Sequence, residues 1–274
     1  MVKFIAYLPV GFPDYEQSVE GFKTLVDAGA NILELGVPYS DPVMDGETIQ
    51  NATAVAIKSG FEMHDVFRAA RELREYADQR YKLGQTQKKT EIYVMSYYNM
   101  LLKYGLSRFA DELHNSGGTG TIVPDLIPDE ADSWIRISRL KELNTVFLTS
   151  PNSPDERLDV VAQNSTGFVY AASLLGVTGA RCDENQFSGV QEIIDRVRSA
   201  LRRHNKDTPV YLGLGVSSGT QAATIASFAD GVIVGSRFVK ALDISTSELM
   251  AVASSIKMGI MRGFKHEVEV GGKR

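Results

Sequence analysis

The sequence predicts an α/β fold, a (β/α)8 TIM barrel, on three observations. Eight short apolar runs of strand character recur along the chain, stretches of helical periodicity separate them, and no break in composition divides the 274 residues. Strands that alternate with helices pair in parallel through right-handed crossovers. Eight such units fit the roughly 250 residues over which a barrel commonly closes, so one domain spanning residues 1–274 is expected. An open doubly wound sheet satisfies the same spacing, because spacing does not encode strand order.

In chain order the expected strands are Phe4–Pro9, Asn31–Gly36, Glu91–Ser96, Gly120–Val123, Thr145–Leu148, Gly167–Ala172, Pro209–Leu212 and Gly231–Val234. Strands buried on both faces read as nearly continuous apolar runs, as Thr-Val-Phe-Leu at 145–148 and Gly-Val-Ile-Val at 231–234 do. Helices are expected at Tyr15–Ala28, Glu47–Lys58, Val66–Gln79, Ser107–Asn115, Asp129–Leu140, Asp155–Gln163 and Gly189–Arg203. The polar stretch Arg80–Thr90 reads as a solvated loop, and the residues around His266 as a charged tail.

Composition narrows the function classes. With 29 Lys and Arg against 34 Asp and Glu, the net charge of −5 offers no overall basic face for nucleic acid. The single cysteine, Cys182, cannot form an intrachain disulfide. No uncharged apolar run approaches the roughly 18 residues of a membrane span. The opening residues Met1-Val2-Lys3-Phe4-Ile5 lead directly into a strand pattern rather than a secretory signal. A cytoplasmic protein without nucleic-acid or membrane partners is the expectation.

A (β/α) barrel gathers its chemistry at the carboxyl ends of its strands. In strand two, Leu33 and Leu35 face the helices, so the period of two turns Glu34 into the barrel. A carboxylate there is costly unless it is paired, hydrogen-bonded or protonated. It is either a structural acid in a polar layer or an acid/base group whose affinity for its proton is raised by apolar walls. The following loop adds Asp41 and Asp45, which also suit simple turns before Pro42 and Gly46. Strands seven and eight end in Gly213-Leu214-Gly215 and Val234-Gly235-Ser236-Arg237, the two places where this fold often holds a phosphate on backbone amides. Turn glycines without a ligand would look the same.

Other chemistries leave gaps. Gly215-Val216-Ser217-Ser218-Gly219 matches a serine-hydrolase elbow, yet only His266 follows it as a triad base. No expected strand end carries a lysine for a Schiff base. His64, His114, His204 and His266 never pair at metal-ligand spacing, so no metal site is expected. If a carbon–carbon bond is broken, the substrate itself must supply the electron sink, as an indole ring protonated at C3 does.

The segment Leu33-Glu34-Leu35-Gly36-Val37-Pro38-Tyr39-Ser40-Asp41-Pro42-Val43-Met44-Asp45-Gly46-Glu47-Thr48-Ile49-Gln50-Asn51-Ala52 resembles the signature of the tryptophan synthase alpha chain family. So do Phe168-Val169-Tyr170 with Gly176-Val177-Thr178-Gly179-Ala180-Arg181, and the two glycine turns. The resemblance implies cleavage of indole-3-glycerol phosphate, with Glu34 as acid/base, Asp45 stabilising the positive indolenine and Tyr170 beside Glu34. It implies Tyr7, where the family more often has phenylalanine, lining the indole slot. Thr178 and Gly179 are implied in a closing loop, and Gly179, Gly215, Gly235 and Ser236 on the phosphate. Pro38, Asp41, Pro42 and Asn99 match the surface toward a beta partner, expected in an alpha2beta2 heterotetramer with pyridoxal phosphate in the beta chain and no cofactor in this one. Two departures, Glu47 in place of a common proline and an amino terminus without the usual preceding helix, bear on that surface and on the barrel floor. They leave room for a stand-alone lyase or a catalytically silent partner barrel.

Overall fold

The computed structural model describes residues 1–86, 88–172, 184–213 and 215–271, with side chains at all of these except 184–188 and 265–271. Its strands are β1 (Lys3–Pro9), β2 (Ile32–Gly36), β3 (Glu91–Met95), β4 (Gly120–Ile122), β5 (Asn144–Val146), β6 (Leu148–Thr149), β7 (Val169–Ala172), β8 (Val210–Gly213) and β9 (Gly231–Val234). They form one parallel sheet ordered β5-β4-β3-β2-β1-β9-β8-β7-β6.

The two ends of that order are consecutive in the chain, separated only by Phe147. Val146 pairs with Ile122 of β4, and Leu148 pairs with Tyr170 of β7. The Tyr170 N–H donates to the Phe147 carbonyl at 3.1 Å, so the sheet closes on itself. This is a (β/α)8 barrel whose fifth strand is split. The sequence reads Thr145–Leu148 as a single strand. Barrel stagger instead lets its lower half reach only β4 and its upper half only β7.

The helices are α1 (Tyr15–Asp27), α2 (Glu47–Lys58), α3 (Met63–Lys82), α4 (Tyr98–Tyr104), α5 (Leu106–Asn115), α6 (Asp132–Leu140), α7 (Asp155–Asn164), α8 (Glu184–Arg203), α9 (Gly219–Ala226), α10 (Ser236–Leu242) and α11 (Thr246–Gly271). Two expectations need correction. The Arg80–Thr90 stretch begins inside α3, where the Arg80 guanidinium pairs with Asp27 and lies 5.5 Å from the Tyr76 ring centre. The supposed tail around His266 is backbone helix through Gly271. Helix α4 has no counterpart in the sequence reading, and Gly105, at φ 96°, separates it from α5.

Period-two alternation divides the apolar side chains into two shells. Ile5, Ile32, Tyr93, Ile122, Val146, Phe168, Tyr211 and Ile233 fill the barrel, while Leu33, Leu35, Val94, Ala171 and Leu212 face the helices. Large rings fit inside because small residues stand opposite them: Tyr7 lies over Gly36, and Tyr170 over Gly213. A methyl group on either glycine would overlap the tyrosine hydroxyl. Phe168 stacks on Tyr211 at 4.5 Å, and Tyr93 meets Phe168 edge-on at 5.2 Å. At the barrel floor, Lys3 pairs with Glu91 at 3.1 Å and Asn144 donates to the Tyr93 hydroxyl at 3.1 Å.

Candidate active site at the carboxyl ends of the strands

Glu34 projects into the upper barrel, level in register with Tyr7 on β1 and Tyr93 on β3. It is 1% exposed, and its Oε1 has no hydrogen-bond partner. Burial alone pushes its carboxyl up to about 8. At neutral pH the group therefore holds its proton, which relieves the cost of a bare charge among apolar walls.

The loop after β2 brings a second acid over the same space. A turn closed by Asp45 N–H on the Pro42 carbonyl (3.0 Å) leads to Gly46, which caps α2, and Gln50 Nε2 donates to the Asp45 carbonyl at 2.7 Å. The Tyr97 hydroxyl accepts from the Met44 N–H at 2.9 Å and donates to Asp45 Oδ2 at 3.1 Å. Burial pushes Asp45 up to about 6, and the Tyr97 hydrogen bond opposes that rise. Asp45 is thus largely ionised at neutral pH while Glu34 is largely neutral. Two carboxyl groups held on opposite sides of pH 7 suit one acid and one anion.

Tyr97 is absent from the sequence reading. It immediately follows Ser96 at the carboxyl end of strand three, the same kind of position that drew attention to Glu34. Inspecting every strand end for hydroxyl donors, rather than for acids and glycines, finds it.

Two further phenols complete the cavity. Tyr7 is 6% exposed, and its ring is held between Gly36 and Gly235, with a Cβ at Gly235 meeting its Cδ1 at 3.2 Å. Burial raises the Tyr7 hydroxyl well above the usual phenol range, and the charges of Asp45 and Glu34 raise it further. Tyr170, on β7 across the barrel, is partly open to the mouth. Burial raises it first, then the charges of Glu34 and Asp45. Glu34, Asp45, Tyr7 and Tyr170 therefore share one electrostatic space.

The glycine turns lie on the same rim. Gly215 takes φ +51° with open space where a side chain would stand, and Gly235 caps α10. Ser236 and Arg237 open that helix, and among the described residues their N–H groups have no acceptor. The Arg237 guanidinium pairs with Glu248 of α11 at 3.3 Å, so the charge next to this turn is engaged on the helix surface. Ser217 spends its hydroxyl on Gln221 Oε1 at 3.0 Å, so the elbow-like motif carries no activated nucleophile. Thr178 and Gly179 lie outside the described residues. No cluster of three or more His, Cys, Asp or Glu at ligating distance occurs among the described residues, and no described helix is long and apolar enough to cross a membrane.

Of the expected partner-facing residues, Asp41 and Asn99 are exposed and Pro42 is half-buried, whereas Pro38 is buried within the chain and shapes the loop from inside. Asn99 Nδ2 donates to the Tyr39 hydroxyl at 3.3 Å, and Tyr39 packs on Tyr97 at 5.1 Å. A side-chain path therefore runs from the surface to Asp45. Val43 is 80% exposed on the same loop.

The family profile described as tryptophan synthase alpha chain matches residues 1–268. The tryptophan synthase alpha chain of Mycobacterium tuberculosis is 44% identical over 259 residues, covering 94% of this chain and 89% of that one. That of Nocardia farcinica is 42% identical over 256 residues, covering 93% and 89%. Among solved structures, tryptophan synthase from M. tuberculosis superposes with a TM-score of 0.84 at 42% identity, over 94% of this chain and 92% of the other. The alpha subunit of Legionella pneumophila does so with a TM-score of 0.78 at 29% identity, over 95% and 93%.

Proposed function

The chain belongs to the tryptophan synthase alpha chain family, the lyase subunit that cleaves indole-3-glycerol phosphate in tryptophan biosynthesis, and we propose that Glu34 and Asp45 carry that cleavage here. The scissile bond joins ring carbon C3 to the hydroxyl-bearing carbon of the glyceryl chain. Glu34 enters neutral and gives its proton to C3, which places a positive charge on the ring nitrogen. The Asp45 carboxylate accepts the ring N–H and stabilises that charge. As the carbon–carbon bond breaks, its electrons return to the ring and the hydroxyl carbon becomes the aldehyde. The hydroxyl proton passes to the Glu34 carboxylate, restoring the acid. Indole and glyceraldehyde 3-phosphate leave, and no net proton is consumed. Positioned proton transfer of this kind contributes about 10² to 10⁴ in rate.

The observation that carries this reading is the buried Glu34 carboxyl with an unpartnered oxygen, in the same cavity as an acid of much lower proton affinity. Tyr170 stands beside the reacting atoms, and Tyr7 forms one wall of the indole slot. The amides of Gly215 and Gly235, the Ser236 hydroxyl and Gly179 hold the phosphate, and Thr178 belongs to the loop that closes over it.

The pyridoxal phosphate of tryptophan synthase belongs to the beta chain. This chain, acting as one domain over residues 1–274, works without a cofactor because the indole ring is the electron sink. Asp41, Pro42 and Asn99 meet the beta chain directly and Pro38 supports them, in a cytoplasmic alpha2beta2 heterotetramer. The test is an assay of the purified chain with indole-3-glycerol phosphate, before and after adding a beta chain. Indole release that rises on addition supports both the chemistry and the partner. No release in either condition rejects the assignment.

A further inference from the structure

Glu34 is paired in register with Tyr7 on β1 and Tyr93 on β3, and of these two hydroxyls the one on Tyr93 is already engaged by Asn144. The Tyr7 ring is held between Gly36, the next inward position above Glu34, and Gly235 on the phosphate rim. Packing fixes the ring, yet its hydroxyl has no hydrogen-bond partner among the described residues. Glu34 Oε1 is equally without one. While Glu34 is neutral this costs little. Once its proton has gone to the substrate, a charge appears on an oxygen surrounded by apolar side chains, and an unpartnered carboxylate there is severely penalised.

The other groups facing Glu34 are less suited to meet that charge. Asp45, from the β2–α2 loop, is an anion. Tyr97, after β3, is committed to Asp45 and Met44. Tyr93 on β3 accepts from Asn144 toward the barrel floor. Tyr170, on β7 across the barrel, feels the charge of Glu34 ahead of that of Asp45 and is the competing donor, although its hydroxyl leans over Gly213. No positive charge among the described residues offsets the burial of Glu34.

Taking the acid role of Glu34 as given, we propose that Tyr7 is a positioning residue that donates a hydrogen bond to the Glu34 carboxylate and so sets how readily the acid releases its proton. A phenylalanine at this place would line the slot equally well. It is the hydroxyl that adds the function.

The test is a pH–rate profile for Tyr7→Phe, together with an isotope-edited infrared titration of the Glu34 carboxyl in the free protein, with Glu34→Gln as blank. A donor to the charged form lowers a carboxyl's affinity for its proton, so removing it raises that affinity. Turnover needs Glu34 protonated, so the high-pH limb and the infrared midpoint should both move up by about one pH unit. The plateau rate should fall by about three- to tenfold with KM little changed, since the acid is weaker. Placing 3-fluorotyrosine at residue 7 strengthens the donor and should move both midpoints down, which keeps the test valid if Tyr7→Phe fails to fold.

Midpoints that stay put, or that move with Tyr170→Phe and not with Tyr7→Phe, overturn the proposal and leave the lyase assignment standing. A wrong assignment of Glu34 shows itself differently, as near-normal turnover in Glu34→Gln.

Discussion

Removing the Tyr97 hydroxyl asks whether Asp45 acts as an anion. Tyr97→Phe keeps the ring and its packing on Tyr39 but deletes the 3.1 Å hydrogen bond to Asp45 Oδ2 and the acceptor for Met44 N–H. A hydrogen bond to a charged group contributes about 1.5–3 kcal/mol, and the half-buried position of Asp45 argues for the lower end, equivalent to about one pH unit. Asp45 should then rise from about 6 by about one unit. Because Asp45 must be ionised to stabilise the indolenine, the loss falls on the acid side. At the wild-type midpoint the ionised fraction drops from about one half to about one tenth, roughly a fivefold loss in kcat/KM. Two units higher both proteins are almost fully ionised, and this cause has little effect. The assay is initial-rate indole release across the pH range. The wild-type profile should be bell-shaped, with limbs near 6 and near 8 set by Asp45 and Glu34. A variant whose acid limb stays in place refutes the role given to Asp45.

Glu34 also leaves a signature in stability. Its folded carboxyl, near 8, sits far above the ordinary unfolded value, so the unfolded chain loses the proton first and the folded state weakens as pH rises between the two. Glu34→Gln removes that dependence, and its stability relative to wild type should grow by about 1.4 kcal/mol per pH unit from roughly 5 to 8, then level off. Denaturant unfolding at several pH values checks this, and a difference that does not vary with pH would contradict it. On the phosphate rim, Gly235→Asp should raise KM more than about tenfold by placing a negative charge against the ester. Gly235→Ala controls for pressure on Tyr7, 3.2 Å from the added carbon, and an equal effect of both variants would move the phosphate elsewhere.

Much of this arrangement was legible before any coordinates. The alternation Ile-Leu-Glu-Leu-Gly places Glu34 inside the barrel, because neighbouring leucines need the helix layer and a strand has only two faces. The glycine turns were legible because their place at the ends of the last two strands is a property of the fold. What escaped depends on contacts through space. Nothing in the spacing of Asp45 and Tyr97, 52 positions apart, announces their hydrogen bond. The split fifth strand follows from barrel stagger, which no single strand encodes. Pro38 is buried although Asp41 and Val43, on the same loop, are exposed, and a loop has no periodicity from which to tell them apart. Helix α4 escaped because its seven residues Tyr98–Tyr104 are too few to display a clear periodicity.

The most direct measurement is single-turnover cleavage of indole-3-glycerol phosphate by wild type and Glu34→Gln, with substrate affinity determined separately by calorimetry. If Glu34 supplies the proton to C3, cleavage falls by about 10² to 10⁴ while affinity stays within a few-fold. Cleavage at close to the wild-type rate, with glutamine in the barrel, would contradict it.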